Sequence, residues 1–482
     1  MGKQQDWSVT VCVFLFLSIA SIIHCTSQTY IPNHVDQPKR GVDSSHFNVF
    51  RRESMPSLKD KDLIEKLPGQ PTVSFRQYGG YVSVNETSGR FLYYYFVEAI
   101  KPTNSTPLVI WFNGGPGCSS LGSGAFFGLG PFRVNKDGKS LFLNPYSWNN
   151  EANVLFLEAP AGVGFSYSNT RTDLEEYSME GDKRTAEDNY AFLVNWLERF
   201  PEYKGREIYI TGQSYAGHYV PQLAQLILQR NNQNLINLQG IMIGNPGLDT
   251  KAEIEGGDKF KLGHGLISQE MLDNKNKLCQ EPDGECEKAM QKIEDQIKGL
   301  DLYNIYAPVC RNSTLSNKSK KCATIMNVDP CSHKYVNTYF NTKKVQEAIH
   351  ANTTKTTYMW QRCNDDLTST WSMTDLDASM IPVLEELIGK GLRVWVYSGD
   401  ADMAVPFTST VDVLKKMNLT IVKEWRPWFN EGQVGGYTED YKGNFKYTTV
   451  REAGHSVPRD QPIRALGLFI SFIRNTPLPE TP

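Results

Sequence analysis

The sequence predicts an α/β fold in which a mostly parallel central sheet carries helices on both faces and an inserted subdomain interrupts the order. Three observations carry this reading. Near-continuous apolar runs of strand length recur at 107–112, 153–158, 208–210, 238–245 and 391–397. A strand buried on both faces reads this way, without polar alternation. Stretches of helical composition separate the runs, as crossovers between parallel strands require. Between about 250 and 370 the apolar runs give way to charged, cysteine-bearing helical sequence.

Composition bounds the function classes. The chain has 482 residues, 40% hydrophobic and 21% charged, with a formal net charge of −3. That suits a globular domain with insertions. It offers no basic stripe, so nucleic-acid binding is not expected.

The N-terminus resembles a secretory signal: Lys3 precedes the apolar run 9–23, and Cys25, Thr26 and Ser27 follow. The run is shorter than the roughly 20 residues a bilayer span needs. Cleavage near 27 would leave a chain without a membrane span, in the lumen or outside the cell. Glycosylation sequons at Asn85, Asn104, Asn312, Asn317, Asn352 and Asn418 suit that compartment.

Of 9 cysteines, Cys12 and Cys25 would leave with the signal, and Cys118, Cys279, Cys286, Cys310, Cys322, Cys331 and Cys363 remain. Disulfides are expected there, with an odd thiol left over. Neither a CxxC pair nor HExxH occurs, so no metal or other cofactor is expected.

In chain order, 28–64 is polar and reads as a leader or propeptide-like arm, and 65–249 forms the first part of the core. A hairpin is predicted from 78–84 and 90–97 around Gly89. The run 107–112 opens into Asn113, Gly114, Gly115, Pro116, Gly117 and Cys118. A helix over 182–199 places Tyr190, Leu193, Val194 and Leu197 at helical spacing. Strand 208–210 leads through Gly212 and Ser214 into a helix whose Pro221 suits only its first turn. The region 250–370 reads as a cap. Within it, the loop 311–321 with Lys318, Lys320 and Lys321 is a candidate nicking site, though a solvated surface loop is the preferred reading. Core sequence resumes over 371–482, with strands at 391–397 and 445–450 and a closing helix at 462–474.

The segment Gly212-Gln213-Ser214-Tyr215-Ala216-Gly217 sits at a tight strand-to-helix turn. A serine there, among small residues, is the nucleophile elbow of the α/β-hydrolases. Such a site needs a carboxylate and a histidine after later strands, in that order. Asp402 follows strand 391–397, and His455 follows strand 445–450. Ser214 needs His455 to accept its proton, and His455 needs the carboxylate to fix its tautomer. Asp400 is the competing acid, read as a turn cap. His218 is expected to pack in the elbow helix, while His264, His333 and His350 fall in the cap. Two N–H donors for an oxyanion are expected from Tyr215, next after the serine, and from Gly115 in the glycine-rich turn. A phosphate loop is excluded there because no Lys-Ser/Thr follows and Pro116 removes a donor.

These segments, together with 158–167 and Gly454, resemble the serine carboxypeptidase family, particularly its secreted plant members, over about 65–475. The resemblance implies an α/β-hydrolase fold with a cap, and removal of single C-terminal residues from peptides. It implies a triad of Ser214, Asp402 and His455, and disulfides Cys118–Cys363, Cys279–Cys286 and Cys310–Cys331, leaving Cys322 as the odd thiol. It also implies that Asn113 and Gly114 help to hold the substrate's terminal carboxylate.

Two positions depart from the family pattern: Gln213 and Gly128 stand where relatives usually carry glutamates. A protonated Glu can donate to a carboxylate only at acid pH, whereas the Gln213 amide donates at any pH. The substrate expected is a peptide or a small acyl compound. Alternatives are an acyltransferase using sugar-ester donors, or a catalytically weak binding homologue. Acyltransferase relatives tend to carry Asp before the serine and Ser at the position of Ala216, and this chain has neither. The sequence leaves open extracellular against vacuolar location, and homodimer formation.

Overall fold

The computed structural model describes residues 55–482 except 232–234, 281–282, 312–328 and 354–358. The strands are β1 (Leu63–Ile64), β2 (Gln77–Asn85), β3 (Arg90–Val97), β4 (Leu108–Asn113), β5 (Phe132–Val134), β6 (Leu141–Leu143) and β7 (Asn153–Leu157). They continue with β8 (Tyr167–Ser168), β9 (Glu207–Gln213), β10 (Asn237–Gly244), β11 (Arg393–Gly399), β12 (Ile421–Asn430), β13 (Gln433–Tyr441) and β14 (Phe445–Val450). The main sheet runs in the order β1-β2-β3-β7-β4-β9-β10-β11-β14-β13-β12, with β8 on β3 and a separate β5–β6 pair. Its centre, from β7 to β14, is parallel, and both edges are antiparallel.

Alternation along the central strands builds two cores, because successive side chains point to opposite faces. On β4, Leu108, Ile110 and Phe112 pack into one core, while Val109 and Trp111 pack into the other. Val394 and Val396 on β11 oppose Trp395 and Tyr397 in the same way. One face is covered by the helices Tyr177–Arg199, Ala216–Arg230, Ile381–Gly389 and Phe407–Met417. Ser332–Phe340 and Pro462–Arg474 cover the other. This is an α/β-hydrolase architecture.

Several local expectations change. The end of the polar arm is structured: Met55–Asp62 is helical, and Leu63–Ile64 pairs with β2. Asp62 is buried, accepting from Tyr94 Oη (2.6 Å) and pairing with Arg199 (2.7 Å). The helix expected at 182–199 begins at Tyr177, with a break at Glu180. Pro221 lies inside the elbow helix rather than in its first turn, where buried Val220, Leu223 and Ala224 hold the helix despite the missing donor.

The chain divides into a large unit, Pro56–Gly263 with Gly299–Pro482, and a small one that contains His264–Lys298. Within the small unit, helices Gln269–Leu278 and Gly284–Ile297 are joined through Cys279–Cys286. Ser268 and Asp283 cap their N-termini. Cys118–Cys363 and Cys310–Cys331 are the other disulfides. Cys322, Asn312, Asn317, the signal segment and most of the expected nicking loop lie outside the described residues. Among the described residues no helix is long and apolar enough to cross a membrane.

Candidate active site

β9 ends in the elbow. Ser214 has φ 66, a left-handed conformation that costs a non-glycine residue energy and turns the chain sharply into the helix. Its neighbours are small because space is absent. A Cβ on Gly212 would lie 2.7 Å from Ala216 Cβ, and one on Gly217 would lie 2.2 Å from the Gly247 carbonyl. Ala216 is tolerated because Gly212 has no side chain. Backbone bonds fix the turn: Ser214 N donates to Gly244 O (3.0 Å), and its carbonyl accepts from Gly217 N (2.8 Å) and Gly247 N (3.1 Å).

Asp402 follows β11 and His455 follows β14, neighbouring parallel strands, so both loops emerge at one sheet end. His455 Nδ1 lies 2.6 Å from Asp402 Oδ2, and Nδ1 therefore carries the proton that the carboxylate accepts. Ala404 N donates to the other oxygen (2.9 Å). Asp402 has no exposed surface, and burial pushes its carboxyl up, opposed by the histidine. Asp400 instead accepts from Glu452 N (2.7 Å), tying the two loops together.

Two supports were not evident in the sequence. Asn245, next after β10 and fully buried with φ 41, accepts from Gly399 N (2.7 Å) and donates to the carbonyls of His455 (2.7 Å) and Gly454 (3.2 Å). It clips the elbow side of the sheet to the histidine loop. The segment after residue 299 is the second. Tyr303 O accepts from His455 N (2.6 Å), Ile305 N donates to Ala401 O (3.0 Å), and Asn304 Nδ2 donates to Asp460 Oδ2 (2.9 Å). The Tyr303 ring lies 5.2 Å from the histidine ring.

The glycine-rich turn lies against the elbow. A Cβ on Gly114 would be 2.2 Å from Tyr215 N, so only glycine lets the two backbones approach this closely. Gly115 has φ 120. Asn113 and Gln213 are register partners at the ends of β4 and β9, and both are buried. Asn113 N donates to Ser120 Oγ (2.9 Å), and Asn113 Oδ1 accepts from Trp111 Nε1 (2.7 Å). The turn continues into a π-helix, Ser120–Gly128, held by the Cys118–Cys363 bond. Gly128 has no room for a side chain without a backbone shift, because a Cβ there would lie 2.9 Å from the Ser123 carbonyl oxygen; Ser456 Oγ on the histidine loop would be 3.9 Å away. Ser119 Oγ and Phe165 N donate to the Glu158 carboxyl, which burial pushes up to about 7.

His218 packs in the elbow helix but is paired. Its Nδ1 lies 2.8 Å from Asp182 Oδ2, in a site where Asp182 also accepts from Tyr215 Oη (3.0 Å) and Gln222 Nε2 (3.0 Å). The sequence places His218 in this helix but does not reveal its partner Asp182. His350 Nδ1 lies 3.2 Å from Gly79 O, and His333 Nδ1 lies 3.1 Å from Pro330 O. Of the sequons, Asn104 and Asn418 are exposed, and Asn85 and Asn352 are half-buried. Among the described residues no group of His, Cys, Asp and Glu is arranged to hold a metal.

Serine carboxypeptidase-like 36 and serine carboxypeptidase-like 38 of Arabidopsis thaliana are 66% and 64% identical, each over 100% of both chains. The structure of Kex1(delta)p, a prohormone-processing carboxypeptidase from Saccharomyces cerevisiae, superimposes with a TM-score of 0.71 at 24% identity. That match covers 86% of this chain and 96% of the other, and shows the shared fold. The family described as serine carboxypeptidase matches residues 68–475. The chain belongs to the serine carboxypeptidase family and is a serine-type hydrolase.

Proposed function

We propose that the protein releases C-terminal residues from peptides through an acyl-enzyme on Ser214. The observation that carries this reading is the buried Asp402–His455 pair on loops that Asn245 ties to the end of β10, the strand beside the elbow strand. Ser214 Oγ attacks the scissile carbonyl while His455 Nε2 takes its proton, and Asp402 stabilises the resulting imidazolium. The N–H groups of Gly115 and Tyr215 hold the oxyanion. His455 then returns the proton to the departing amine, and water repeats the sequence on the ester. Asn113, Gly114 and Gln213 hold the terminal carboxylate, with the amide of Gln213 donating at acid and neutral pH alike.

The signal-like N-terminus and the sequons support passage through the secretory pathway to the extracellular space or the vacuole. Labelling with a fluorophosphonate, followed by assay on blocked dipeptides, tests the reading. Labelling confined to Ser214, with release of the last residue, is expected. An unlabelled Ser214 would sink both the peptidase and an acyltransferase on the same serine.

A further inference from the structure

The acyl chemistry uses only the backbone N–H of Tyr215, yet its phenol enters a buried polar cluster behind the elbow. Tyr215 Oη donates to Asp182 Oδ1 (3.0 Å), and Trp371 Nε1 reaches both that oxygen (3.3 Å) and Tyr215 Oη (3.1 Å). His218 Nδ1 lies 2.8 Å from Asp182 Oδ2, to which Gln222 Nε2 also donates (3.0 Å). Asp182 is 3% exposed, and a carboxylate so buried is tolerated only when its acceptor sites are filled. Among the described residues no lysine or arginine pairs with it, so neutralising a cation does not explain its place.

The local sequence builds the cluster. The helix Tyr177–Arg199 breaks at Glu180 and resumes, which sets Asp182 in a first turn, where negative charge is favoured. Gly181 lets the indole close in, because a Cβ there would lie 2.5 Å from the Trp371 ring. Asp182 N donates to Asp375 Oδ2 (3.0 Å). The phenol ring is seated between neighbours: His218 stacks on it at 4.4 Å, and Tyr219 and Trp371 meet it edge-on at 5.4 and 6.2 Å.

This seat bears on the chemistry because Tyr215 N shares one planar peptide with Ser214 O. The carbonyl end of that peptide is held by Gly217 N (2.8 Å) and Gly247 N (3.1 Å). Its other end is Tyr215 Cα, which the seated side chain holds. The N–H then points away from the carbonyl, on the side where a Gly114 Cβ would lie 2.2 Å from Tyr215 N. A hold is needed there, since Ser214 has φ 66 and relaxing that strain would rotate the same peptide.

We infer that Asp182 is a positioning residue: by holding Tyr215 Oη it fixes the peptide whose N–H faces the oxyanion, without touching substrate. This rests on the acyl-enzyme reading of Ser214.

The test compares Tyr215→Phe, Asp182→Ala and Asp182→Asn in the full chain, on p-nitrophenyl acetate and on a blocked dipeptide. Rates are taken per Ser214 labelled to completion by fluorophosphonate, which removes any unfolded fraction. Tyr215→Phe keeps the ring and loses only the tether. Its kcat on the ester should fall about tenfold with KM within twofold, short of the hundredfold or more for an oxyanion donor removed outright. Inhibition by a peptide aldehyde, whose hemiacetal oxygen takes the oxyanion's place, should weaken by the same factor. Asp182→Ala should lose as much, and Asp182→Asn, which keeps an acceptor for the phenol, should recover most of it. Should Asp182→Ala fail to fold by circular dichroism, Tyr215→Phe carries the test. Unchanged kcat per labelled serine, a loss confined to KM, or aldehyde inhibition that stays put while kcat falls overturns the positioning role. The expected losses on the ester in a protein that releases no residue from the dipeptide would instead overturn the peptidase reading and leave the positioning role standing.

Discussion

Replacing Asn245 by alanine tests how the site is held together. The side chain bonds one buried N–H, that of Gly399, and two carbonyls, those of Gly454 and His455. Leaving three such groups without partners costs about 1 kcal/mol each at the low end. Alanine at a φ of 41 adds about 1 kcal/mol that asparagine largely avoids. The expected loss is therefore about 4 kcal/mol, read as a shift in the urea unfolding midpoint with an unchanged slope. His455 also loses its tether to the elbow side of the sheet, so kcat on a blocked dipeptide should fall by about ten- to a hundredfold. Asn245→Asp keeps the acceptor for Gly399 N but sets a carboxylate against two carbonyls, and it should do no better. A loss below about 1 kcal/mol with kcat intact would refute the reasoning.

Other expectations concern pH and covalent support. KM for blocked dipeptides should stay within about threefold between pH 5 and 7, because Gln213 needs no proton to donate; Gln213→Glu should introduce a rise in KM over that interval, and a steep rise in the unaltered protein contradicts the assignment. Burial holds the Glu158 carboxyl at about 7, above its ordinary 4.5. The folded state thus keeps a proton that the unfolded chain releases, and this contribution to stability is lost as pH rises through that window. Glu158→Gln should flatten the decline measured by thermal melts at pH 4 to 8, and identical curves would refute it. Replacing Cys118 and Cys363 together by alanine opens a sequence separation of 245 residues, with an expected loss of about 4 kcal/mol and lower kcat as the glycine-rich turn beside the elbow loosens. Unchanged kcat would separate the bond from the site.

Much of this arrangement is legible in the sequence because burial on both faces leaves a strong signal. Strands β4, β7, β9, β10 and β11 are near-continuous apolar runs, and the helix Pro462–Arg474 has the bounds that its spacing predicts. The elbow is legible because Ser214 directly follows such a strand, and Asp402 and His455 because each lies on the loop after a later strand.

What escapes has weaker local physics. The β12–β13 hairpin is an edge, and β12 is mostly exposed, carrying Lys423, Glu424, Arg426 and Pro427, so no apolar run marks it. The π-helix carries three glycines, two serines and two phenylalanines among its nine residues, a composition with poor helix propensity, and tertiary burial imposes it. Asn245, Tyr303 and Asp182 act on partners distant in sequence, and nothing in their own neighbourhoods announces that.

In the proposed activity this chain shortens peptides from the C-terminus using Ser214. A peptide-ladder assay by mass spectrometry over a pH series, with Ser214→Ala as control, tests it most directly. Stepwise loss of single C-terminal residues by the unaltered protein, from pH 5 to neutrality, and none by Ser214→Ala is the predicted result. An intact peptide at every pH, or equal shortening by both proteins, would contradict it.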